Sequence, residues 1–222
     1  MESRIPRMKR YLTIALLILS SFSVFSAGKV IYTKGEVLIN GKVIKKNHIF
    51  KKGDTLSTNA TGLAIAKFDN GSTVKVEENS QIKLEVYLAK KRASQFSLIK
   101  GSSFFELDPK AKGKLSVRAR EVAMGVRGTL FFVSFGQKEK KDVYMCVNKG
   151  KVAIKGKNQK RSVLVKEGEG VVVPKGEVSS KPTPLPWTKS LNWKLDPNET
   201  EDLDNKAVIQ ESYSNPLERD YD

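Results

Sequence analysis

The chain has 222 residues, 39% hydrophobic and 29% charged, enough apolar material for one or two globular domains and too much for a disordered polymer. Lysine and arginine number 40 against 24 acids, a formal net charge of +16, with a single cysteine and a single histidine. Those two counts exclude an internal disulfide and are too few to assemble a typical zinc site, so the fold must be held by core burial.

At the N-terminus Arg4, Arg7, Lys9 and Arg10 precede an apolar run from Tyr11 to Phe25, and Ser26, Ala27 and Gly28 follow. This is the three-part layout of a secretory signal, shorter than the roughly 20 apolar residues of a comfortable membrane span. Residues 1–26 are therefore read as a signal peptide cleaved after Ser26, the alternative being a retained anchor.

From Gly28 to Val178 helical periodicity is absent and short alternating runs dominate. The segment Gly35-Glu-Val-Leu-Ile-Asn-Gly41-Lys42 recurs as Gly150-Lys-Val-Ala-Ile-Lys-Gly156-Lys157, and the match continues from Lys52-Gly53-Asp54 to Glu167-Gly168-Glu169 without a gap. Between the copies, Gly62 to Phe68 and Thr73 to Val76 flank Asp69-Asn70-Gly71-Ser72, a strong hairpin signal. Further strands are expected at Ile82 to Leu88, Phe96 to Ile99 and Asp142 to Val147. Gly125 and Gly128 bracket a sharp corner at Val126-Arg127, followed by a buried strand from Thr129 to Phe135. The expected fold is all-β, a solenoid-like roll or sandwich of short strands over 30–178.

After Val178 the composition changes. Residues 179–195 hold Pro182, Pro184 and Pro186 and read as a Pro-rich connector, with Trp187 and Trp193 packing its exit back on the sheet. Residues 196–222 carry nine acids against two bases, a net of −7, so the preceding 195 residues carry +23. A short helix near 197–204, started by Asp196-Pro197, is expected in an otherwise flexible acidic tail.

Several residues stand out and receive structural readings. Gly53, Gly71, Gly128, Gly150 and Gly168 supply turns, Asp54 and Asp69 close turns through side-chain to backbone bonds, and Thr129 is a structural residue that opens the strand after the corner. Arg127 is expected to reach strand-end carbonyls or a carboxylate such as Asp54, because a buried guanidinium must be paired, the alternative being recognition of an external anion. Cys146 reads as a small apolar core filler, or else as one half of an intermolecular bridge. Asp69-Asn-Gly-Ser-Thr has too few carboxylates for calcium, and His48 has no catalytic signature around it, so no metal, cofactor or catalytic residue is expected. Lysines cluster in turns, where they blunt sheet edges. Lys90, Lys91 and Arg92, with Lys138, Lys140 and Lys141, are the candidates for anion binding. Nucleic acid is not an expected partner, since no aromatic stacking residues are interleaved with the charge.

The series Gly35-Glu-Val37, Gly53-Asp-Thr-Leu-Ser-Thr58, Phe68-Asp-Asn-Gly-Ser-Thr-Val74, Lys100-Gly101, Val126-Arg-Gly-Thr-Leu-Phe-Phe-Val133, Val147 to Val152 and Glu167-Gly-Glu-Gly170 resembles the FecR family domain. The resemblance implies an exported, non-catalytic β-rich module used for signalling or binding at the bacterial cell envelope. Only ten residues precede the apolar run, too few for the cytoplasmic sigma-factor-binding segment of the regulator proper. A periplasmic or secreted module is therefore expected, recognising a protein, peptidoglycan or another glycan. The alternative is a regulator of trans-envelope signalling held in the inner membrane by an uncleaved N-terminal helix.

Overall fold

The computed structural model describes residues 27–111, 113–135, 142–178, 181–199, 203 and 205–209; the expected signal peptide and the end of the acidic tail lie outside them. Among these residues seventeen strands form two sheets. Sheet A runs in the order β17(Gly170–Val173), β14(Val143–Lys149), β13(Leu130–Phe135), β10(Ser102–Leu107), β7(Ser72–Val76), β6(Leu63–Phe68), β1(Gly28–Lys34), β4(Ile49–Phe50). Sheet B runs β16(Val163–Lys166), β15(Lys151–Gly156), β12(Val122–Val126), β11(Lys114–Ala119), β9(Ala93–Lys100), β8(Gln81–Leu88), β5(Thr55–Thr58), β2(Val37–Ile39), β3(Lys42–Val43). Single strands and hairpins alternate between the sheets, so both orders follow the sequence with few exceptions. All pairings are antiparallel except β9 with β11. The result is the all-β sandwich with solenoid-like progression that the alternating runs require.

Alternation aims one set of side chains between the sheets. Phe50, Phe68, Phe96, Phe105 and Phe131 form a spine through that core, with successive ring centroids 5.6, 5.0, 5.9 and 5.5 Å apart. Sheet A also buries its other face. Every residue of β13 is buried, and the adjacent pairs Phe104-Phe105 and Phe131-Phe132 send one ring to each side. A strand buried at every position needs cover on both faces.

That cover is the segment after Val178, which lies on sheet A as a strap. It starts by pairing with the edge strand β17, Gly170 and Thr183 exchanging backbone bonds of 2.7 and 3.0 Å. Leu185, Leu191, Leu195 and Ile209 then pack on Phe104, Leu130, Phe132 and Cys146. Trp193 meets Phe104 edge-on at 5.2 Å and donates its indole N–H to the Thr188 carbonyl, as expected of a Trp packed back on the sheet. The side chain of Trp187 is outside the described set. Asp196 caps a turn by accepting from the Asn198 amide at 2.9 Å, at the expected helix start; residues 200–202 and 204 lie outside the described residues, and 206–209 are helical.

The turns follow their residues. Asn40 and Gly41, with φ of 51° and 77°, make the tight turn of the β2–β3 hairpin, the mirror-image type that Asn-Gly favours. The five glycines read as turn formers, Gly53, Gly71, Gly128, Gly150 and Gly168, all have positive φ. The two sequence copies agree at their ends: Asp54 accepts from the Lys51 amide at 2.8 Å and Glu169 from the Lys166 amide at 2.9 Å. They differ in the middle, where Ile49–Phe50 joins sheet A and Val163–Lys166 joins sheet B. Gly125 is not part of the corner but lies inside β12, so the turn rests on Gly128 alone.

Candidate binding faces

Among the described residues, the two outer faces of the sandwich differ because only one has a cover. On sheet A, Lys75 projects from β7 and is fully buried beneath the strap. Its ammonium donates to the carbonyls of Asn192 at 2.7 Å, Lys194 at 3.2 Å and Leu203 at 3.4 Å, and stands 4.2 Å from the Phe104 ring centroid. Glu77, two residues on and on the same face, lies 3.6 Å from it and accepts from the Asn205 side-chain amide at 2.9 Å. A buried ammonium and carboxylate are tolerated only when their donors and acceptors are matched, and here the strap supplies partners to both. This makes a polar latch in an otherwise apolar layer.

Cys146 sits under the same strap, fully buried, and burial pushes its thiol up to about 12. The Thr188 hydroxyl has no hydrogen-bond partner of ordinary geometry; it faces the thiol and offsets part of that rise. Cys146 is a core filler with little thiolate to offer. Glu106 on β10 is half-buried, and desolvation holds its carboxyl above the usual carboxylate range against the opposing pull of Lys149. An acid whose folded value is raised loses stability as pH rises through that interval. Glu106→Gln is therefore expected to melt higher than the parent at pH 7, the difference closing below about pH 4, where the carboxyl is protonated in both states; thermal melts across that range check it.

On sheet B nothing among the described residues covers the outer face. Cross-strand register aligns Lys166 with Lys151, and continuing the β15–β12 and β12–β11 registers one residue places Arg127 between Lys151 and Lys114. Four residues along, a second row holds Lys155, Arg118 and Lys83. Between them run Ala153, Gly125, Ser116 and Gln95.

Residues 54–153 match the family described as FecR protein. This part of the strand body is a FecR domain. It covers the strands from β5 into β15, inside the 30–178 span expected from the sequence. Two crystal structures of a "putative anti-sigma factor" from Parabacteroides distasonis are similar, at 19% and 20% identity with TM-scores of 0.49 and 0.48. Each comparison covers 58% of this chain and 59% of the other, so the chain spans under two thirds of those proteins. No curated protein sequence matches the chain.

Arg127, expected to be buried and paired with Asp54 or strand-end carbonyls, is instead exposed at the FecR corner, with no hydrogen bond from its guanidinium to a described residue. Asp54 lies elsewhere, accepting from the side chain of Asn40 at 2.7 Å and from Lys51. Thr129 ties the corner down by donating to the Lys151 carbonyl at 3.0 Å. The Asp69 turn is closed by its neighbour: Asn70 accepts from the Ser72 amide and donates to Ser94. Lys90, Lys91 and Arg92 are exposed at the β8–β9 connection, and the Arg92 carbonyl accepts from the Lys114 amide, bringing them to the end of the Arg127 row. Lys138, Lys140 and Lys141 lie outside the described residues. Among those described, no three His, Cys, Asp or Glu side chains are gathered as metal ligands. Sequence reasoning missed Lys75, Glu77 and Asn205. Alternation shows that Lys75 and Glu77 leave β7 on the face away from the core, but a charged outward face reads as solvated, and the cover comes from more than a hundred residues away.

Proposed function

We propose that this chain is an exported, non-catalytic FecR-type binding module of the bacterial cell envelope that recognises a protein or an anionic glycan. The observation that carries this reading is the asymmetry of the FecR domain: one outer face is closed by the chain's own strap and latch, while the other presents ordered rows of cations. Export rests on the charged, apolar and small-residue sequence of residues 1–28. The second reading, a membrane-anchored regulator of trans-envelope signalling, draws on the FecR match and on the same apolar run left uncleaved; no helix among the described residues is long and apolar enough to cross a membrane.

Cell fractionation with N-terminal sequencing decides between the two. Soluble periplasmic protein beginning at Ala27 supports the binding module. Protein beginning at Met1 in the inner membrane supports the anchored regulator, and recovery from the cytoplasm would remove both.

A further inference from the structure

We infer that the outer face of sheet B is a docking surface for a linear polysaccharide bearing regularly spaced carboxylates. The inference rests on the reading of the chain as an envelope binding module and names the surface and the ligand chemistry. The row Lys166, Lys151, Arg127 and Lys114 crosses neighbouring strands, so its cations recur at intervals of about 4.8 Å. The second row, Lys155, Arg118 and Lys83, runs parallel to it about 13 Å away, four residues along each strand. Lys166, Lys151, Arg127, Lys114, Lys155 and Arg118 are exposed and have no hydrogen bond or ion pair from their side chains to a described residue. The acids nearby are engaged: Glu85 lies 3.0 Å from Lys83, which holds its carboxyl below the usual range, and Glu167 accepts from the Gly150 amide.

A row of small or uncharged side chains separates the cations, and at Gly125 an added Cβ would meet nothing within 4 Å. The strip is wide enough for a chain of sugar rings between two lines of charge. Charge complementarity sets the sign of the ligand, and the sheet itself argues its class. Peptides that bind sheets do so at edges, where backbone groups are unpaired; of these rows only Lys166 lies on an edge strand, β16, while β15, β12 and β11 are paired on both sides. Single-stranded nucleic acid needs aromatic platforms, and the described residues of these rows include none.

The test is binding of the full mature chain to immobilised polygalacturonate, with neutral dextran, polyglutamate and single-stranded DNA as comparison surfaces. Parent protein is expected to bind polygalacturonate most tightly, and less tightly as salt rises. The triple variant Arg127→Gln, Lys151→Gln, Lys166→Gln and the double variant Arg118→Gln, Lys155→Gln are each expected to weaken binding about tenfold or more. Gly125→Tyr, which leaves the charge unchanged, is expected to weaken it to a similar degree by filling the strip, while Gly125→Ser keeps it. Lys45→Gln with Lys46→Gln, remote from both rows, should change it less than twofold. Equal loss in that control, parent-like binding by Gly125→Tyr, or tighter binding to polyglutamate or DNA would overturn the assignment. So would no binding to polygalacturonate, an outcome that leaves the envelope reading to stand or fall on the fractionation result.

Discussion

Lys75→Met is expected to loosen the strap and destabilise the protein by about 3–5 kcal/mol, the usual loss when one member of a buried charge pair is removed. The substitution keeps the apolar length of the side chain and removes only the ammonium. Three carbonyls, from Asn192, Lys194 and Leu203, then lose a donor, and Glu77 keeps the Asn205 amide but loses the cation 3.6 Å away. The strap is the natural place for the strain to appear, because the sheet strands beneath it are held by their own ladders. Cys146 reports the opening: fully buried in the parent, it should react slowly with an aromatic disulfide reagent, and in Lys75→Met at least tenfold faster. Lys75→Met combined with Glu77→Leu should recover part of the stability, since the buried carboxylate that lost Lys75 is gone. Unchanged urea denaturation and an unchanged thiol rate in the single variant would show that the latch does not hold the strap.

Gly150→Ala is expected to be nearly as damaging, by about 2–4 kcal/mol, for a backbone reason. Gly150 has φ of +80°, and a Cβ there would stand 2.5 Å from the Gly128 carbonyl oxygen and 3.0 Å from the Thr129 hydroxyl. It therefore combines an unfavourable conformation with a collision against the Arg127 corner, where backbone cannot yield cheaply. Gly53→Ala separates the two terms: φ is +91° but nothing lies within 4 Å of the added carbon, so a loss of about 1–2 kcal/mol is expected. Gly125→Ala has neither problem and should be neutral or slightly stabilising, because a glycine inside a strand gives up packing and entropy. Equilibrium urea melts of the three variants should rank in that order. Equal losses at Gly150 and Gly125 would contradict the structure.

The sandwich was legible in the sequence because its signals are local. Alternation in Gln81–Leu88, the Asn-Gly dipeptides and glycines such as Gly71, Gly101 and Gly150 just before a strand are all readable within a few residues. The strap was not, because its evidence is spread over the chain. Leu130-Phe-Phe-Val-Ser-Phe135 reads as a buried strand, but its sequence alone does not say that the third layer covering its second face comes from the strap. The proline-rich composition of 179–195 points to a connector, whereas Leu185, Leu191 and Leu195 give it a buried side against Phe104 and Phe132. Arg127 differs for a related reason: a glycine-flanked corner next to a buried strand reads as buried, but the chain turns at Gly128 and leaves the side chain exposed. The cation rows of sheet B were invisible as rows, since Lys166, Lys151, Arg127 and Lys114 belong to four separate segments that only register brings into line.

The unequal faces of the sandwich can be tested together by lysine acetylation of the intact protein, followed by peptide mass spectrometry with and without polygalacturonate. The structure requires Lys75 to resist labelling while Lys151, Lys155 and Lys166 react readily; the proposed docking surface adds that the lysines of its two rows, Lys114 and Lys83 included, become protected when the polysaccharide is added, with Lys45 and Lys46 unaffected. Labelling of Lys75 at the rate of Lys151, or protection spread evenly over all the lysines, would contradict a covered sheet A and a working sheet B.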